Sequence, residues 1–159
     1  MGTKGKEIVG LDVEKLIEEL NRAYADEWLA FYQYWLMSKV VFGWPAAKAL
    51  SSELMDTAME ELEHADELAE RITALGGKPL ANPKQWYEMT NCGYAEPPED
   101  ASDLETIINQ VIEAERCAIE VYDKLAKMTF EKDPVTHQLM LHILEEEIEH
   151  EDTFETLTK

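Results

Sequence analysis

Apolar residues recur every three or four positions along four long stretches of the chain, and nowhere do they alternate with polar ones over any length. That spacing gathers them on one face of a helix, whereas a strand needs a period of two. The first stretch runs from about Asp12, placed as an N-cap, to Val41, and "FGWP" breaks it. The second runs from about Pro45 to Leu75 and stops at "LGG", where Gly76 can take the left-handed conformation that closes many helices. The third opens at "ASDLETII", with Ser102 and Glu105 spaced as a capping box, and lasts to about Thr129. "EKDP" separates it from the fourth, which has Pro134 in its first turn and reaches almost to Lys159. The middle connection, residues 77–101, is far longer than the other two, and "NPKQWYEM" within it suits one short helix. Short, long and short connections predict an all-α four-helix bundle with one crossover. Residues 1–159 are expected to form a single domain, with 1–10 a flexible tail.

The inward stripes carry polar residues where a core should be apolar. Helix one gives Leu16, Leu20, Ala23, Glu27, Ala30, Tyr34 and Val41, and helix two gives Leu50, Leu54, Thr57, Glu61, His64, Leu68 and Ile72. Helix three gives Leu104, Ile108, Val111, Glu115, Ala118, Tyr122 and Leu125, and helix four gives Met140, Ile143, Glu147, His150, Phe154 and Leu157. Each stripe is interrupted at its middle, and in an antiparallel bundle those middles meet at one level. Four buried carboxylates without counter-charge would be prohibitive. Two divalent cations balance them, and two histidines complete the set. One Glu from each of two helices with Glu-x-x-His from the other two is the arrangement of di-iron carboxylate sites. The pattern is also duplicated: Tyr34 follows Glu27 by seven residues and Tyr122 follows Glu115 by seven, with the Glu-x-x-His glutamates 34 and 32 residues after Glu27 and Glu115.

Glu60 and Glu146, four residues before each histidine, are also within reach of a metal, but Glu61 and Glu147 lie on the stripe. Glu63 and Glu149 point to solvent. An oxygen-rich donor set suits Fe or Mn, with Zn a substitute. Tyr122 is expected as a core tyrosine with a satisfied hydroxyl. Tyr24, Trp28 and Trp35 should cluster around Glu27 as packing residues, and His137 and His142 lie off the stripe, toward the surface.

Charge strengthens the metal expectation. The net charge is −20, which repels nucleic acid and attracts cations, while a hydrophobic fraction of 45% excludes a disordered acidic chain. Lys4 and Lys6 count for little against that field, so stable DNA binding is not expected. No apolar run is long enough for a membrane span, and "MGTKGKEIVG" lacks a signal-peptide core, so a cytoplasmic protein is expected.

"EELEHADELAERITALGGKP" resembles the second helix of bacterioferritin, and nearly the whole chain looks like the ferritin-like superfamily, specifically bacterioferritin and Dps-like ferritins. The resemblance implies Glu61 and Glu147 as bridging ligands, Glu27 and Glu115 as terminal ligands, one metal each for His64 and His150, and Tyr34 hydrogen-bonded to a ligand carboxylate. No haem is expected: the haem-binding Met of bacterioferritin would follow Glu61, where this chain has Leu62, and Met59 lies on another face. Only nine residues follow His150, too few for the fifth helix of the 24-subunit families, which implies a dodecameric cage. Cys92 and Cys117 resemble the cysteine pair of the subclass called thioferritins and imply a reversible disulfide beside the metals. The function implied is oxidation of Fe2+ by H2O2, less readily by O2, followed by storage of the ferric mineral. The rival expectation is a non-storing di-iron or dimanganese peroxidase or catalase of rubrerythrin-like type, although no rubredoxin-type Cys-x-x-Cys is present.

Overall fold

A computed structural model describes residues 2–43 and 45–158, and the side chains of all of these except Lys6. Trp44 of the "FGWP" break, Met1, Lys159 and the side chain of the second tail lysine lie outside the described residues. Among the described residues six helices occur in chain order: α1 Thr3–Glu7, α2 Val13–Val40, α3 Ala46–Ala74, α4 Lys84–Met89, α5 Leu104–Thr129 and α6 Pro134–Thr156. No strand forms among the described residues. Two long helical hairpins, α2/α3 and α5/α6, pack into a bundle, and the connection bearing α4 crosses between them.

Local chemistry sets the ends. Asp12 caps α2 by accepting from the amides of Glu14 at 3.0 Å and Lys15 at 3.2 Å. Gly76 closes α3 with a φ of 89°, and Gly77 is required by space, since an added Cβ would lie 2.7 Å from Ile17 Cγ2. The expected capping box at Ser102 and Glu105 is corrected. Asp103 caps α5, accepting from the Thr106 amide at 3.1 Å and from its hydroxyl at 2.6 Å, while the Ser102 hydroxyl bonds Asp100. A carboxylate one residue nearer the helix outcompetes a hydroxyl as acceptor. Asp133 caps α6, with Pro134 in its first turn.

Within 1–10 the short helix α1 forms, and the Gly10 amide donates to the Lys132 carbonyl at 2.7 Å. One further expectation changes. Leu157 lies past the last residue of α6 and is exposed rather than in the stripe.

The core is split. One apolar cluster contains Leu16, Leu20, Leu68, Ile72, Leu125 and Met140, and the other contains Met37, Leu50, Leu54, Ile107, Val111 and Phe154. Between them lies the polar level predicted from the stripes.

The crossover is held by polar residues on α2. Asn21 bonds the Lys78 carbonyl and the Leu80 amide, and Gln33 accepts from the Ala95 amide at 2.9 Å. Asp26 accepts from the Thr90 hydroxyl, from the Asn91 amide and side chain, and from the Cys92 amide. All three residues are buried. Burial pushes the Asp26 carboxyl above its ordinary value despite these bonds.

Candidate metal centre

Glu27 on α2, Glu61 and His64 on α3, Glu115 on α5 and Glu147 and His150 on α6 meet between the two apolar clusters, each no more than 6% exposed. Spacing explains the meeting: three residues along a helix brings carboxylate and imidazole onto one face. His64 Nδ1 lies 3.2 Å from Glu61 Oε2, 3.2 Å from Glu147 Oε1 and 3.6 Å from Glu27 Oε2. His150 Nδ1 lies 3.5 Å from Glu61 Oε1, 3.6 Å from Glu147 Oε2 and 3.6 Å from Glu115 Oε2.

Glu61 and Glu147 thus offer one oxygen to each histidine. Two donor groups result, Glu27, Glu61, His64, Glu147 and Glu61, Glu115, Glu147, His150, each with its ligand atoms within 4.8 Å of one another. A shared pair of carboxylates between two such groups is the geometry of a dinuclear centre. Both oxygens of Glu115, both of Glu147 and Nδ1 of His150 are buried without a hydrogen-bond partner. Orphaned acceptors of this kind are costly unless a cation meets them, so the residues present fit a metal pair.

The electrostatics agree. Burial and the neighbouring Glu61 charge push Glu27 and Glu115 well above the ordinary glutamate range. For Glu61 burial works upward too, but the contacts with His150 and His64 outweigh it and hold the carboxyl well below that range. Burial would lower both histidines, yet their surrounding carboxylates drive them far above the ordinary value. A bound cation would compete with protons for these donors.

Tyr34 and Tyr122 close the level from either side, both 1% exposed. The Tyr122 hydroxyl donates to Glu27 Oε1 across the bundle. Tyr34 is pushed well above the ordinary phenol value by burial and by the Glu115 charge. Tyr122 is thus the core tyrosine with a satisfied hydroxyl that was expected, and its partner is Glu27.

Cys92 and Cys117 are joined as a disulfide, with Cα atoms 5.7 Å apart. A cavity of about 20 Å3, lined by Asp26, Gln33, Tyr34, Cys92, Glu115 and Glu147 among others, lies between the bond and the donor groups. The Asp26 bond to the Cys92 amide and the Gln33 bond to the Ala95 amide were not visible in the sequence pattern.

Among the flanking residues, Glu63 and Glu149 are exposed as expected. Glu60 and Glu146 do not join the donor groups but bond the far nitrogens of the histidines. Trp28 packs on Tyr24 and stacks on Trp86 of α4 at 5.0 Å, whereas Trp35 stands apart beside Tyr32. His142 is exposed. His137 is corrected from a surface residue to a half-buried one, with Nδ1 2.9 Å from the Ala126 carbonyl, because its ring packs on Phe130. Among the described residues no helix is long and apolar enough to cross a membrane.

Comparison with known proteins agrees with this architecture. A family model for the ferritin-like domain matches residues 17–159. The chain is 38% identical over 151 residues to the DNA protection during starvation protein of Pyrococcus furiosus, covering 95% of this chain and 80% of that one. It is 32% identical over 148 residues to the bacterioferritin of Desulfovibrio desulfuricans, covering 90% and 74% respectively. A solved structure described as a dodecameric thioferritin, the bacterioferritin-related protein from Bacteroides fragilis, superposes with a TM-score of 0.93 at 38% identity, over 99% of this chain and 93% of that one. A bundle of four long helices around two buried Glu/His clusters, and a family match spanning both helical hairpins, place this chain in the ferritin-like domain family.

Proposed function

We propose that this protein is a ferroxidase that binds two Fe2+ per chain, oxidises them with H2O2 and retains the product as ferric mineral within a closed cage. The observation that carries this is the shared carboxylate pair: Glu61 and Glu147 each turn one oxygen to either histidine, an arrangement that would hold two ions side by side. Iron is the substrate, and the stoichiometry is 2 Fe2+ + H2O2 + 2 H+ → 2 Fe3+ + 2 H2O, each iron giving one electron to the O–O bond. O2 is a slower acceptor. Mn and Zn fit the same donors less productively. Glu27 and Glu115 complete each ion's ligand set, Tyr122 holds the Glu27 carboxylate, and the apolar clusters on either side exclude water.

The Cys92–Cys117 bond supports a second two-electron couple beside the centre. Its two thiols would pass two electrons to H2O2, yielding disulfide and two waters. The dodecameric Bacteroides fragilis relative supports a twelve-subunit cage of roughly 220 kDa for this 18.2 kDa chain. A relative's printed name refers to DNA protection, but a net charge of −20 argues that any protection here works by consuming iron and peroxide rather than by binding DNA.

Anaerobic Fe2+ titration should saturate near two ions per chain before mineral forms, and peroxide should then oxidise them in the 2:1 ratio above. Full activity in both Glu61→Ala and His64→Ala would sink the assignment. Light scattering that gives a dimer would favour the non-storing peroxidase, and a gel shift at physiological salt would overturn the charge argument.

A further inference from the structure

Cys92 and Cys117 stand on unlike supports. Cys117 lies in the middle of α5, where the helix fixes its place. Cys92 lies on the crossover, between Met89 at the end of α4 and Leu104 at the start of α5. An irregular segment has many positions open to it when nothing holds it. If the disulfide alone brought the sulfurs together, reduction would release Cys92, and closing the bond again would mean recapturing a loose loop.

Asp26 on α2 supplies a second hold. Its Oδ1 accepts from the Thr90 hydroxyl at 2.5 Å, the Asn91 amide at 2.8 Å and the Cys92 amide at 3.0 Å. Its Oδ2 accepts from the Asn91 side chain at 2.7 Å. The Thr90 oxygen in turn accepts from the amides of Cys92 at 3.1 Å and Gly93 at 2.8 Å. Gly93, with a φ of 78°, turns the chain directly after the cysteine. Three consecutive residues thus converge on one carboxylate that is 7% exposed, and bonds to such a group are of the stronger kind. None of these bonds involves sulfur, so breaking the disulfide removes no member of the set.

We propose that Asp26 is a positioning residue for the thiol pair. It keeps the Cys92 turn in place after reduction, so that the two thiols stay opposed and close again when H2O2 takes their electrons. The inference rests on the second couple described under the proposed function and deepens it. In that step the thiols give up two electrons and two protons, the S–S bond forms, the O–O bond breaks and two waters leave. Tether and disulfide close the same segment, so each favours the other by the same factor.

The test equilibrates the iron-free assembly with mixtures of reduced and oxidised dithiothreitol, traps free thiols by alkylation and reads the oxidised fraction by mass. Asp26→Ala should lower the equilibrium constant for the bond about 10-fold, a shift of about 30 mV toward easier reduction. Asp26→Asn keeps an oxygen for Thr90, Asn91 and Cys92 and should recover most of that shift. Glu99→Ala, an exposed residue of the same connection, should leave the midpoint unchanged. Hydrogen exchange gives a second readout. In the wild type the Asn91 and Cys92 amides should stay protected after reduction, and in Asp26→Ala they should be protected only while the bond is intact.

A wild-type midpoint in Asp26→Ala would overturn the inference even if that variant were less stable in urea, because a merely structural carboxylate supports both redox states alike. Loss of wild-type protection on reduction would overturn it too. Adding H2O2 to the reduced, iron-free wild type reads the couple separately. Failure to restore the bond there removes the couple and the inference with it, whereas an unmoved midpoint removes the tether alone.

Discussion

In the half of the centre built on α2 and α3, Glu27 accepts the Tyr122 hydroxyl and His64 Nδ1 lies 3.2 Å from two carboxylates. In the half built on α5 and α6, neither oxygen of Glu115 has a hydrogen-bond partner, and His150 Nδ1 has no carboxylate nearer than 3.5 Å. The second half also lies beside the disulfide, with Cys117 two residues after Glu115. Repeating a ligand motif therefore does not repeat its surroundings. The first half has a hydrogen bond that braces its outer carboxylate, and the second half lacks one.

Removing a shared ligand should erase the distinction altogether. Glu61→Ala or Glu147→Ala takes an oxygen from each histidine's group, so both ions should weaken by more than about 100-fold in a metal titration. Glu27→Ala and Glu115→Ala should each affect chiefly one. A smaller effect should follow loss of the disulfide, which closes a 25-residue separation. Chain entropy predicts about 3 kcal/mol less stability for the Cys92→Ser/Cys117→Ser variant in urea unfolding, matched by wild type under reductant.

Tyr122→Phe sharpens the comparison most directly. It leaves Glu27 as unbraced as Glu115, so the ion beside Glu27 should weaken about 10-fold while the other is unchanged. The smallest effect belongs to the tie between hairpins away from the metals, where Arg71 on α3 bonds Asp133 at 2.7 Å and Thr136 at 2.7 Å. Burial would raise Asp133, but Thr136 and Arg71 outweigh it and hold the carboxyl below the ordinary 3.8. A depressed acid stabilises the fold above its unfolded value and loses that contribution as pH falls through the folded one. Thr136→Val should cost about 1 kcal/mol at neutral pH and less near pH 2, as read from denaturant midpoints at the two pH values.

Periodicity made the four long helices legible to within a residue or two, because breakers such as "FGWP", "LGG" and "EKDP" are local signals. The six candidate ligands were legible for a related reason: each interrupts an apolar stripe, and the interruptions fall at one level. What stayed hidden depends on partners far along the chain. Asn21, Asp26 and Gln33 resemble the solvent face of an amphipathic helix, and only the crossover, 57 to 66 residues later, shows why they are buried. Tyr122 bonds a residue 95 positions earlier, and Glu60 and Glu146 bond histidines 90 and 82 positions away. The cap of α5 failed for a subtler reason, since Ser102 and Asp103 are both good caps and only the three-dimensional turn at Asp100 occupies the serine.

The divided core has a mechanical consequence. With one apolar cluster gripping each end of the bundle, the level between them is a seam with little dry surface of its own to break. Such a seam can part locally while both ends stay shut, since opening costs follow the apolar contact a region must give up.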